Sequence, residues 1–274
     1  MKRTKRTLAI LAFTTVVGCS SQLNSTPSSI HTEAALLRIY STTTTAPLVR
    51  TLSNSYRESH PTIQFETAAA NHATLTTRLV NNDFPYFISN HLPSDDRLWA
   101  APLAQDALVF ITHPQNRITD ITLEQIRRVY RGFNTNWLTL GGDDQKITIY
   151  SREEGAGIRA EFERLVMGQR QTSPNTQILP STSAILQRVA SETSAIAYLP
   201  FSQLLQSNAV VQALTIQGTE PAQATIGNNS YPLRITLYII GREEPRAVYR
   251  MFIGWVQSQD GQNALQQQYT PLPR

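Results

Sequence analysis

The chain carries a single cysteine, Cys19, in 274 residues, so no intrachain disulfide can form. Lysine is almost as scarce. Beyond residue 18 only Lys146 remains, which leaves one candidate for a lysine nucleophile or Schiff base. The histidines His31, His60, His72, His91 and His113 lie far apart, with no His-Glu-x-x-His or similar metal spacing. There is no Gly-x-Ser-x-Gly elbow and no Gly-x-x-x-x-Gly-Lys phosphate loop. The acidic pairs Asp95-Asp96 and Glu153-Glu154 are adjacent, and neighbours on a regular element point apart. No segment repeats at a fixed period, which excludes solenoids and arrays. These absences argue against an enzyme, and no cofactor and no metal are expected.

What is present is an ordinary globular composition, 41% hydrophobic and 16% charged, enough for a sizeable core. The N-terminus is different. Met1-Lys2-Arg3-Thr4-Lys5-Arg6 is basic, and residues 8–17 are apolar. Roughly ten residues is the length of a signal-peptide core, half of what a spanning helix needs. The run ends in Val16-Val17-Gly18-Cys19, which resembles the lipobox of bacterial lipoproteins. Residues 1–18 are therefore expected to be a signal peptide. Cys19 is expected to be lipidated, and two or more acyl chains suffice for stable anchoring to a membrane. Residues 19–32, rich in Ser, Thr, Asn and Pro, read as a flexible tether. The protein should then be extracytoplasmic and held on the cell membrane, in a periplasm or at the outer surface. Removing residues 1–18 also takes the formal charge from +4 to zero, because they hold Lys2, Arg3, Lys5 and Arg6 and no acid. The basic pI thus gives no support for a nucleic-acid partner.

From residue 36 onward strand and helix patterns alternate. Strands are expected at 36–40, 63–66, 84–89, 107–112, 146–150, 195–199 and 234–240. Helices are expected at 47–59, 72–81, 122–131, 157–167, 185–191, 245–257 and 261–268, and those at 47–59, 122–131, 157–167 and 245–257 carry an apolar stripe at helical spacing. Such alternation implies an α/β fold with largely parallel sheets. Periodicity alone leaves open whether this is one large sheet or two lobes.

Three segments carry a resemblance. Leu123 to Gly132 with Asn136-Trp137, Ser151-Arg152-Glu153-Glu154-Gly155-Ala156-Gly157-Ile158-Arg159, and Ser258-Gln259-Asp260-Gly261-Gln262 followed by Tyr269-Thr270-Pro271-Leu272 are similar, in that order, to the phosphate-binding proteins of bacterial ABC importers. Ala195-Ile196-Ala197-Tyr198 is a fourth, weaker match. The resemblance implies a two-lobed periplasmic-binding-protein type II fold with a cleft between the lobes. Lobe one would hold residues 33–113 and 207–274, and lobe two 114–206. It also implies a small phosphate-like anion as ligand and the permease of an ABC importer as partner.

An oxyanion in a water-poor cleft needs fixed donors. Helix N-termini and arginine supply them. By the resemblance, the anion loop is Arg152 with Ala156, Gly157 and Ile158. Thr43 and Thr44 stand at the first strand-to-helix corner, and Asn71 stands where the family has a serine. The plainer alternatives are a simple strand-to-helix turn at Gly155-Ala156-Gly157, a surface pair between Arg152 and Glu153 or Glu154, and hydroxyl capping of the first helix. His72 is either a compensating donor or a loop residue. The chain also departs from the family. Ala156 and Ile158 replace hydroxyl residues, and the aspartate that follows a small residue and takes the proton of hydrogen phosphate has no counterpart around residues 84–87, where Asp83 sits at the wrong end of the strand. A binding-protein-like lipoprotein acting as sensor or scaffold, with a different ligand or none, is the alternative function.

Overall fold

The structure, a computed structural model, describes residues 35–273. The leader, Cys19 and the tether lie outside the described residues.

The first half of the chain alternates in the expected way. Strand β1 is Leu36–Thr42 and helix α1 is Ala46–Ser59. They are followed by β2 (Gln64–Ala70), α2 (His72–Val80) and β3 (Tyr86–Ser89). In α1 the residues Leu48, Val49, Leu52 and Tyr56 are buried, the stripe that the 3.6-residue period places on one face. Next come β4 (Trp99–Thr112), β5 (Asp120–Ile121) and α3 (Leu123–Tyr130). Strand β6 is Thr148–Arg152, and α4 (Gly157–Phe162) runs on through a π-helical turn at Glu163–Met167. Then β7 (Gln177–Leu179), α5 (Thr182–Ser191), β8 (Ala195–Pro200) and α6 (Phe201–Leu205) complete the middle. The remainder is β9 (Gln212–Ala213), β10 (Thr215–Ile216), α7 (Gln223–Gly227), β11 (Arg234–Gly241), α8 (Ala247–Gln257) and α9 (Gln259–Leu265).

One strand path runs β2-β1-β3-β11-β4-β8-β6-β7, with β9 alongside β4. The outer pairs are parallel, β1 with β2 and β3, and β6 with β7 and β8. The central ones, β3 with β11, β11 with β4 and β4 with β8, are antiparallel. Strand β4 changes partners halfway. Residues 99–107 pair with β11, and Leu108–Thr112 pair with β8. Pro102 lacks an N–H to give the ladder, and it stands beside a register shift opposite Leu237 and Tyr238, where such a residue is tolerated.

The core divides along these two long strands. Leu37, Leu52, Ala104, Leu237, Phe252 and Tyr269 belong to one cluster. Ala107, Phe110, Tyr130, Phe162, Tyr198 and Ile235 belong to another. The molecule is thus a two-lobed α/β fold in which β4 and β11 pass from one core to the other. The expected return to the first lobe at residue 207 does not match this division. Leu214, Ile216, Ile226, Tyr231 and Leu233 all pack on the second core, because β9 pairs with Ile111 and Thr112 and the Leu214 N–H donates to the Phe110 carbonyl. The crossing falls between Ile235 and Leu237.

Local chemistry sets the ends of several elements. Thr122 and Gln125 form a reciprocal capping box on α3, with bonds of 3.2 and 2.8 Å. Thr122→Ala removes one half of it and is expected to cost about 1 kcal/mol in chemical denaturation. No measurable loss would show that the box is idle. Asn136 accepts from the Leu138 N–H at 2.9 Å, and Trp137 Nε1 donates to the Ser194 carbonyl at 2.9 Å, which accounts for the Asn-Trp pair. At the C-terminus, Gln262 Nε2 donates to the Leu103 and Val256 carbonyls and its Oε1 accepts from Leu272 N–H, tying the last segment to β4.

Candidate functional site

Two corners built on different cores meet at one place. The first is the turn from β1 into α1. Thr42 Oγ1 shares hydrogen bonds with the hydroxyls of Thr44 and Thr45, at 3.0 and 2.9 Å. Thr45 Oγ1 donates to the Ile88 carbonyl at 2.7 Å, and Thr44 Oγ1 donates to Asn90 Oδ1 at 3.2 Å. The alternative, capping of α1 by these hydroxyls, is not found: Thr45 stands at the N-cap without a side-chain bond to the helix. The hydroxyls instead join β1 to the end of β3.

The second corner is the loop from β6 into α4. Gly155 has φ +80°, and a Cβ there would lie 2.8 Å from Asn71 Oδ1, so this turn requires glycine. Asn71 caps α2 by accepting from Ala73 N–H at 2.9 Å, and its Nδ2 donates to the Glu154 carbonyl at 3.2 Å. The Ala73 N–H also donates to the Gly155 carbonyl at 3.1 Å. A Cβ on Gly157 would lie 2.6 Å from Asn90 Oδ1 and 3.4 Å from Ser89 Oγ. Only glycine lets the backbone come this close.

Arg152 is buried, 1% exposed. Its Nε and Nη2 donate to the Glu153 carboxylate at 2.9 and 3.0 Å, and Nη2 also donates to the Pro180 carbonyl at 3.0 Å. Nη1 is buried with no partner among the described residues. The pairing with Glu153 therefore exists, between a buried guanidinium and a partly exposed carboxylate. Ala156 is the N-cap of α4 and offers no side-chain cap. Ile158 packs its side chain into the second core, which leaves only its backbone N–H for any ligand.

Thr43 and Thr44 part company. Thr44 is buried in the seam, whereas Thr43 is exposed and lines a cavity of about 410 Å³. Arg50, Ser181, Thr182, Gln203 and Ser207 line it too. Gln203 Nε2 donates to the Thr44 carbonyl at 2.7 Å, so cavity and seam share a wall. Ser181 to Ser183 and Gln203 gave no pattern in the sequence that set them apart from other polar loop residues.

His72 is buried, with Nδ1 2.8 Å from Ser89 Oγ. Burial, then the neighbouring His91, pushes its pKa down to about 4 against a weaker pull from Glu161. It is a neutral ring bonded to Ser89, and a neutral imidazole keeps a single N–H donor. Beyond it, His91 Nδ1 bonds Glu161 at 2.7 Å, and Arg164 holds the same carboxylate at 2.6 Å. Burial works to raise the Glu161 pKa, but these two partners hold it below the usual value.

Asn90 is the residue the sequence reading overlooked. It follows the small Ser89, and the amide stands at the far end of β3 from Asp83, which instead pairs with Arg78 at 3.0 Å. A search for an amide, and not only an acid, after a small residue at a strand end finds it.

The PBP superfamily domain matches residues 26–260. The chain belongs to the PBP superfamily. Among curated members of this superfamily, the phosphate-binding protein PstS of Bacillus subtilis is 28% identical over 163 residues, 58% of this chain. PstS of Borreliella burgdorferi is 26% identical over 175 residues, 60% of this chain. The matches span 53% and 62% of those two proteins. A crystal structure from Clostridium perfringens, described as a phosphate ABC transporter substrate-binding protein with bound phosphate, superposes with a TM-score of 0.79 at 24% identity, covering 87% of this chain and all of the other. That likeness shows the PBP fold.

Proposed function

We propose that this PBP superfamily member is an extracytoplasmic, lipid-anchored solute-binding protein that captures a small oxyanion, phosphate or a relative, for the permease of an ABC importer. It acts as a receptor and not as an enzyme. The observation that carries the reading is the seam itself: Thr44 and Asn90 from one core meet Gly157 from the other, on the loop that opens with Arg152, a buried guanidinium whose Nη1 is unpaired among the described residues. A buried charge with a spare donor suits an oxyanion, which accepts hydrogen bonds at every oxygen. The relatives' names support the choice of phosphate class, and the leader pattern ending at Cys19 supports the anchor. In this proposal one lobe comprises residues 35–106 and 236–273 and the other 107–235, with β4 and β11 as the hinge across which ligand binding closes the cleft.

Calorimetric titration with phosphate, sulfate and small organic anions tests the reading. Binding is expected, and Arg152→Ala is expected to weaken it roughly tenfold or more. An unaltered affinity in that variant would remove Arg152 from the site. Absence of heat with every anion favours the second reading, a sensor or scaffold with another ligand or none. That alternative draws on Glu153 already neutralising Arg152.

A further inference from the structure

Asn90 is 1% exposed. Its Oδ1 accepts from Thr44 and faces Gly157, while its Nδ2 is buried with no hydrogen-bond partner among the described residues. Arg152 Nη1, at the start of the loop that leads to Gly157, is in the same state. Nearly all buried N–H groups in folded proteins have partners, so each unpaired one calls for an explanation.

The character of the unpaired atoms matters more than their number. The hydroxyls of Thr44 and Ser89 can turn to give or to accept. An amide Nδ2 and a guanidinium Nη1 can only give. The buried carboxylate close by is engaged: Glu161 is held by His91 and Arg164. Glu153 is likewise occupied by Arg152. The unpaired Asn90 Nδ2 in this seam and the Arg152 Nη1 at the start of the loop to Gly157 therefore call for an oxygen that accepts. None of them calls for a ligand oxygen that carries a proton. A carboxylate at position 90 would demand that proton and would repel an ionised oxygen. The amide does neither.

We propose that Asn90 is a specificity-determining residue, and that its amide lets the site take fully ionised tetrahedral oxyanions of the sulfate class at least as readily as hydrogen phosphate. This inference rests on the anion-binding reading above.

The test is titration of the full-length protein with sulfate and with phosphate at one pH and ionic strength, repeated with Asn90→Asp. For the wild type the two dissociation constants are expected to agree within about tenfold, or to favour sulfate. In Asn90→Asp, sulfate is expected to weaken by roughly hundredfold relative to phosphate, because two negative charges then face each other in a buried seam. Phosphate bound and sulfate refused by the wild type overturns the inference and leaves the anion reading standing. No binding of either ion by the folded wild type overturns both. A wild type that takes both ions and an Asn90→Asp variant with an unchanged ratio also overturns it, since Asn90 is then not the determinant. If circular dichroism shows that Asn90→Asp does not fold, the wild-type ratio decides alone.

Discussion

Phe162→Ala is expected to destabilise the protein by about 3–5 kcal/mol in urea denaturation. The ring is fully buried. It lies parallel to Tyr198 with centroids 4.3 Å apart and an interplanar angle of 12°, and 4.7 Å from Tyr130. Phe110 closes the group at 6.2 Å. Truncation removes the transfer free energy of the ring and leaves a cavity whose aromatic walls cannot collapse, and it also forfeits stacking contacts of about 0.5–1.5 kcal/mol each. The two tyrosines are pinned from the other side: Tyr198 OH shares a 2.6 Å bond with Ser151 Oγ, and Tyr130 OH donates to the Tyr150 carbonyl at 3.1 Å. Phe162 thus packs α4 against Tyr198 of β8 and Tyr130 of α3, whose hydroxyls reach Ser151 and Tyr150 on the strand that delivers Arg152. Phe162→Leu refills most of the space and is expected to cost less than half as much. A loss below about 1 kcal/mol for Phe162→Ala would mean that the second core repacks around the gap.

Asp106 is expected to give the protein an unusual stability profile in mild acid. The side chain is buried on β4, close to where the core divides, with Oδ1 accepting from the Ala107 and Ser202 N–H groups and Oδ2 from the Ser202 hydroxyl. Burial pushes its pKa up to about 6, against the downward pull of the Ser202 and Ala107 bonds. The folded pKa thus exceeds the unfolded one, about 4. Between those values the folded state holds more protons than the unfolded state, so this group makes stability fall as pH rises through the window. Its contribution changes by about 2 kcal/mol from pH 4 to 6 and by about 3 kcal/mol over the whole titration. Other carboxylates, Glu161 and Glu192 among them, have lowered pKa values and pull the opposite way at lower pH. The measurement is therefore a difference. Asp106→Asn keeps an acceptor for both backbone N–H groups and places an amide against a hydroxyl that can turn to receive it. The wild-type stability minus that of Asp106→Asn is expected to drop by about 2 kcal/mol from pH 4 to pH 6 and to level off above about pH 7. A constant difference through that window would show that Asp106 titrates at an ordinary pKa.

The alternating periods were legible where elements are long and one-sided. Helix α1 begins one residue before the expected 47–59, and β8 and β11 are found at the expected 195–199 and 234–240, each one residue longer. Strand β4 was legible only in its second half. Its first half, Trp99 to Asp106, includes Pro102 and a buried Asp106, residues that read as loop because their acceptable settings, a bulge and a capped carboxylate, exist only once β11 and α6 are in place. The stretch 207–233 was not legible either. Its strands are two residues long, too short to show a period, and they take their place from pairing with β4 and β5.

The site divides in the same way. Glycine spacing and a strand-to-helix junction marked the loop 152–158, because a close backbone approach needs those residue types at that point in the chain. Which groups meet across the seam was a matter of tertiary structure alone. Thr43 and Thr44 are neighbours with the same side chain, yet one faces a cavity and the other is buried against Asn90. His72, a candidate donor in the sequence, is buried beside His91 as a neutral ring bonded to Ser89, a setting that only the fold creates. The sequence by itself determined the α/β class, the family and the loop that begins at Arg152, since these follow from periods and motifs local to the chain. The tertiary structure decided where the core divides, what Arg152 pairs with and which amide sits in the seam. Burial and long-range hydrogen bonding join residues far apart in the chain, and no local pattern records them.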